Sequence, residues 1–311
     1  LNPLNLSALS ISVRLLSLIF AGGIFLSSGA AMKTERPSKQ SSDYVVDVGN
    51  IFNQKIDELS GLACSRLNDG VLWAINDGGN QPILFAVGND GADLGSVLIT
   101  GAQNRDWEDV ASFVLGTKTY LLVADVGDNF SHYESSTIYI VEEPAITGFR
   151  LKKNSTVKVA ARILFTFEDG PRDCEAVAVD SAGKKIFLLT KRTSPAVLYE
   201  LPLDLDKKES TGIARRKYPI STINKPSAMD ISPQSNSAVV LTYHRAYLFK
   251  RQVGENWSTA FSRAPRVIKF PALLQQEAIC FSNDGKSVYI SSEGRPAPLL
   301  RIDLQDFTSS Q

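Results

Sequence analysis

From residue 44 onward, short apolar runs rich in Val, Ile, Leu, Tyr and Phe alternate with brief polar turns such as "NDG", "SAGK" and "SNDGK". Runs this short, bounded by turn formers, predict β-strands rather than helices. The pattern also repeats. "SGLACS" (60–65), "EDVASF" (108–113), "EAVAVD" (175–180), "SAMDIS" (227–232) and "EAICFS" (277–282) align, with first residues 48, 67, 52 and 50 apart. A second strand follows each one: "VLWAIND", "YLLVADV", "IFLLTKR", "AVVLTYH" and "SVYISSE". Seventeen residues after the five anchors stand Asp77, Asp125, Arg192, His244 and Gly294. A third strand comes next ("ILFAV", "IYIV", "VLYEL", "AYLFK", "LLRID"), then a variable fourth, as in "SVLIT", "ARILFTF" and "RVIKF".

Four short strands per repeat of about 50 residues is the pattern of a β-propeller blade, so the fold expected is an all-β propeller. The last repeat, from Glu277, runs out after three strands, and "YVVDV" (44–48) supplies its fourth. The ring is thereby expected to close by pairing the N-terminal strand with the C-terminal blade, which removes an open edge. Five blades are expected. Six is the alternative, if the 67-residue interval holds a divergent blade.

Strand direction then locates a site. The first strand of each blade lines the channel, and the second runs back beside it, so its exit loop returns to the end where the first began. One mouth therefore gathers the anchors Glu108, Glu175 and Glu277 and the loops "NDGGN" (76–80), "DVGDN" (125–129), "TKRT" (190–193), "YHR" (243–245) and "SEGR" (292–295). Gathered carboxylates repel unless they share protons or are neutralised. The three glutamates are read as ligands of a hard cation, Ca²⁺, which takes oxygen donors in irregular geometry, with neutralisation by Lys191, Arg192, Arg245 and Arg295 as the alternative. Asp77, Asp125, Lys191, Arg192, His244, Glu293 and Arg295 are read as ligand-binding. The pairs Arg105/Asp106 and Arg172/Asp173 read equally well as charge clamps between blades, and Trp107 as packing between them.

Composition narrows the function. Lys plus Arg and Asp plus Glu both number 33, and this balance argues against a nucleic-acid partner. Two histidines, His132 and His244, exclude a multi-histidine metal centre. Three cysteines are too few for a disulfide framework and read as buried thiols. Walker, HExxH and G-x-S-x-G motifs are absent, and no catalytic residue is assigned.

The run "LLSLIFAGGIFLSSGAAM" after Arg14, ending in small residues, reads as a signal peptide over 1–31, with a membrane anchor as its alternative. A polar linker (32–43) and one propeller domain (44–311) follow. A periplasmic or secreted protein is expected, touching a membrane only through an uncleaved N-terminus. The chain begins at Leu1 and its first methionine is Met32, which reads as a fragment or an unusual start codon.

"ELSGLACS" followed by "LWAINDGGNQPILFAV", with glutamate-led repeats such as "EAVAVD", resembles exported bacterial propellers of the SdiA-regulated and phytase-like (esterase-like activity of phytase) families over about residues 58–304. The phytase-like resemblance implies Ca²⁺ at acidic mouth residues, phosphate at basic ones such as Lys191 and Arg192, and attack by metal-bound water. The fourth repeat departs from it, with Ser227 and Tyr243-His244 where carboxylates would stand. Three functions follow as expectations: a platform binding a small molecule or protein at its mouth, a Ca²⁺-dependent phosphoesterase, and a lactonase drawing on Glu108, Asn76, Asp125 and Glu277.

Overall fold

The structure is a computed structural model that describes residues 44–305. The expected signal peptide and the linker lie outside the described residues. No helix among the described residues is long and apolar enough to cross a membrane.

After β1 (Val45–Ile51) come five successive antiparallel units. The first holds β2 (Leu59–Cys64), β3 (Val71–Asn76), β4 (Ile83–Gly88) and β5 (Asp93–Thr100). The second holds β6 (Trp107–Leu115), β7 (Lys118–Asp125), β8 (Ser136–Glu142) and β9 (Ser155–Phe167). β10 (Cys174–Asp180), β11 (Lys185–Thr190), β12 (Ala196–Pro202) and β13 (Glu209–Ile220) form the third. β14 (Pro226–Ile231), β15 (Ser237–Thr242), β16 (Ala246–Lys250), α1 (Trp257–Ser262) and β17 (Arg266–Ile268) form the fourth. The fifth is β18 (Gln276–Phe281), β19 (Ser287–Ser292) and β20 (Ala297–Asp303), completed by β1, which pairs antiparallel with β20 from Val45↔Ile302 to Ile51↔Ala297. The 67-residue interval between the second and third anchors holds only β6 to β9, its extra length spent on loops and a 13-residue β9.

Every residue of β2, β10, β14 and β18 is buried, so these first strands show no alternation. Strands covered on both faces read this way. The outer strands β9 and β13 alternate buried and exposed positions, as strands with one wet face do.

Five apolar clusters lie between units. Trp73 and Trp107 pack first against second, and Ala111 and Val177 second against third. Phe187 and Met229 join third to fourth, Val239 and Ile279 fourth to fifth, and Leu62 and Cys280 fifth to first. The result is an all-β, propeller-like arrangement. The first three units are also joined by hydrogen bonds, because β9 pairs in parallel with both β5 and β13. No sheet among the described residues closes on itself.

Candidate functional site

All five first strands carry an irregularity at the same place. In each, the residue at the aligned anchor is the extra one in a β-bulge. Ser60 falls between the paired Leu59 and Gly61, Glu108 between Trp107 and Asp109, and Glu175 between Cys174 and Ala176. Ser227 and Glu277 hold the same position in β14 and β18. A bulge re-aims the side chain it inserts. The two serines use this to tie units together: Ser60 Oγ donates to the Glu108 carbonyl and Ser227 Oγ to that of Gln276, both at 2.8 Å.

The three glutamates meet in one cavity of about 140 Å³, lined by the first-strand starts of four units and the second-strand exits of all five. Its wall holds five carboxylates, Asp77, Glu108, Glu175, Glu277 and Glu293, and one cation, Lys191. Lys191 Nζ lies 2.7 Å from Glu175 Oε2 and 5.2 Å from the centre of the Tyr243 ring. Burial pushes the Glu108 carboxyl well above its ordinary value, and the neighbouring Glu175 charge pushes it further. Burial also raises Glu277, to about 8, against the opposing pull of Lys191. Asp77 and Glu293 are raised by the same cause. Burial depresses the Lys191 ammonium, but Glu175 outweighs this and holds its value above the ordinary one.

Two groups of carboxylate oxygens lie within 4.8 Å of one another: Asp77, Asp106 and Glu108, and Glu108, Asp173 and Glu175. The second is served by cations, Lys191 on Glu175 and Arg192 Nε on Asp173 at 2.8 Å. The first has no ion pair among the described residues. Burial, then the charges of Asp77, Glu175 and Asp173, raise Asp106 to about 6. Gly127 opens room for this group, since a Cβ there would fall 2.1 Å from Glu108 Oε1 and 2.5 Å from Asp106 Oδ2. An all-oxygen donor set in a cradle that one methyl would fill suits a hard cation.

The residues read from sequence distribute as follows. Glu108, Glu175, Glu277, Asp77, Lys191 and Glu293 line the cavity, although Glu277 belongs to neither oxygen group. Arg192 and His244 line a separate cleft beside it. Asp125 does not reach the cavity. It is buried, accepts the Asp106 N–H at 2.8 Å and lies 3.8 Å from Arg105 Nε, and Asn129 from the same loop lines the wall instead. Arg295 pairs with Asp57, outside the cavity wall.

The clamp reading of the Arg-Asp phrases is corrected. Arg105 pairs with Asp125, Arg172 with Asp169 and Arg192 with Asp173, so neither phrase pairs with itself or reaches an arginine of the next unit. Asp173 still bridges units, because its Oδ1 accepts the Asp128 N–H at 2.9 Å. Sequence reasoning missed Asp106 and Asp173, which complete the two oxygen groups, and Asn129 and Tyr243 in the cavity wall. For Asp106 and Asp173 the signal was their shared place two residues ahead of an aligned glutamate, in "RDWE" and "RDCE".

No protein-family model and no curated protein matches the chain. Among solved structures, it is similar to one described as the crystal structure of a nidogen/laminin complex, at 12% identity over 76% of this chain and 73% of the other, with a TM-score of 0.44. It is also similar to XC5397 from Xanthomonas campestris, described as a gluconolactonase, at 8% identity over 79% of this chain and 72% of the other, with a TM-score of 0.41.

Proposed function

We propose that this protein is an exported five-bladed β-propeller, closed through β1 and β20, that binds a small-molecule or protein ligand at its mouth with the help of a bound divalent cation, Ca²⁺ by donor chemistry. One observation carries the reading: the bulges turn three glutamates into a pocket whose carboxylates outnumber its single lysine. Asp77, Asp106 and Glu108 hold the cation. Lys191, Glu277 and Glu293 face the ligand. The five inter-unit clusters, each joining consecutive units and the last returning to the first, support the blade count and the closure.

Calorimetric titration of the full chain with Ca²⁺ tests the site. Saturable binding in the wild type, weakened at least about tenfold in Asp106→Asn/Glu108→Gln and largely kept in Glu293→Gln, is the expected result. A wild type that takes up no Ca²⁺ overturns the cation.

A second reading is a Ca²⁺-dependent hydrolase acting on phosphate esters or lactones. It is favoured by Glu277, whose raised value keeps a proton available near neutral pH beside the oxygen cluster. Here a bound cation would supply Lewis-acid activation, while Glu277 would hold the transferable proton. Turnover of such substrates that stops with chelator and falls in Glu277→Gln is its signature. Ligand binding without turnover leaves the platform.

A further inference from the structure

Beside the acidic mouth, between the third and fourth units, opens a larger cleft of opposite character. Its volume is about 670 Å³, within the range of small-molecule sites, and no carboxylate lines it. Five basic side chains do: Lys191, Arg192, Lys225, His244 and Arg245. Lys191 and Arg192 are engaged by Glu175 and Asp173. Lys225 and Arg245 are exposed and, among the described residues, enter no ion pair. Among the described residues, no carboxylate compensates their charge.

The cleft is also built rather than incidental. Lys225 holds φ near +50°, a left-handed conformation unfavourable for a residue with a Cβ. Such a conformation persists where its surroundings fix it, and such positions cluster at binding sites. Here the preceding loop is fixed by the Ala196 N–H donating to the Ile223 carbonyl at 2.9 Å and by Ser194 Oγ bonded to Asn224 Oδ1 at 2.8 Å. Tyr243 and Tyr247 add aromatic surface to the lining, and Thr193, Thr222 and Thr242 add hydroxyls.

We propose that this cleft binds an organic anion of monosaccharide size: a hydroxyl-rich ring carrying one carboxylate or phosphate. The unpaired cations Lys225 and Arg245 take the anionic group, and the tyrosines and threonines meet the ring. A bare anion would leave the aromatic and hydroxyl surface unused, and a neutral sugar would leave the cations unpaired. None of the cleft's residues belongs to the oxygen clusters, although Lys191 and Tyr243 also line the acidic cavity.

The test is calorimetric titration of the full chain with glucuronate, glucose 6-phosphate, glucose and inorganic phosphate, without added metal. Saturable binding of glucuronate or glucose 6-phosphate is expected, with glucose and inorganic phosphate at least about tenfold weaker. Preference between the first two assigns the anionic group as carboxylate or phosphate. Lys225→Ala/Arg245→Ala should weaken binding at least about tenfold with an unchanged melting temperature, since both side chains are exposed. Asp106→Asn/Glu108→Gln should keep it, so failure of the cleft and failure of the cation site are separable. No saturable binding of either acid, or equal binding by wild type and the Lys225/Arg245 variant, overturns the proposal.

Discussion

Asp109 is wholly buried, yet it organises the centre of the molecule. Its Oδ1 accepts the Val110 N–H, and its Oδ2 accepts those of Val177 at 2.8 Å and Met229 at 3.2 Å, so one carboxyl joins the first strands of three units. Gly61 makes room beside it, since a Cβ there would lie 2.8 Å from the Val110 nitrogen. Removing the acceptor strands three buried donors, each costing about 1–3 kcal/mol. Asp109→Ala should therefore lose about 3 kcal/mol or more in urea denaturation, and an unchanged midpoint would refute this role. Burial acts on Glu277 as well. Its value is raised from the ordinary 4.5 to about 8, so folding binds a proton. The stabilisation it gives is complete below about pH 4.5 and is lost as pH rises through about 8. Asp106, raised to about 6, adds to the same slope at lower pH. The metal-free protein should become less stable between pH 5 and 8, and Glu277→Gln should flatten the upper part of that fall. Melting curves across this range, with and without the substitution, read it directly.

At the level of elements, the bulge connects the fold to the site, and it also divides what sequence could reveal from what it could not. The anchors were legible because a repeated apolar strand with a polar first residue recurs at matched spacing, and all five first strands lie where that spacing puts them. The bulge itself leaves no compositional trace: Ser60 and Glu108 differ in chemistry but share a register shift. The hairpin between first and second strands varies in length, so the second-strand residue paired just before the bulge stands 16, 17 and 15 residues after the anchor in the first three units, and a constant offset of seventeen picked Asp125 and Arg192 where Asn129 and Lys191 line the cavity. β13 was illegible for a different reason, since "IARRKY" carries its charges on a wet outer face. α1 was too short for helical periodicity. Its signals were the Asn256 cap, accepting from the Thr259 N–H, and the buried Trp257, Ala260 and Phe261. Gly127 tests the element-level account. Gly127→Ala puts a methyl where the Glu108 and Asp106 oxygens sit, so Ca²⁺ affinity should fall at least about tenfold while overpacking costs about 1–3 kcal/mol. Calorimetry beside denaturation separates the two effects, and unchanged affinity would mean that the carboxylates are not held there for a cation.

For the molecule as a whole, the acidic cavity and the basic cleft share a wall, Lys191 and Tyr243 lining both. Lys191 is committed to Glu175 at 2.7 Å while its ammonium lies 5.2 Å from the centre of the Tyr243 ring. A divalent cation in the oxygen cluster would compete for the Glu108–Glu175 charge and weaken the hold of Glu175 on Lys191 by repulsion. The ammonium would then be free to face the cleft, where an anion would gain a third cation beside Lys225 and Arg245. Linkage makes this reciprocal: if Ca²⁺ tightens anion binding, the anion must tighten Ca²⁺ binding by the same factor. Couplings of this kind are typically about 5–150-fold, and a shift at the lower end is expected because Lys191 moves charge without breaking the fold. Titrating glucuronate or glucose 6-phosphate with and without saturating Ca²⁺, in wild type and in Lys191→Met, measures it. A several-fold gain in the wild type that vanishes in Lys191→Met would identify the lysine as the connection between two opposite subsites. Equal affinities with and without Ca²⁺ would make them independent neighbours on one mouth.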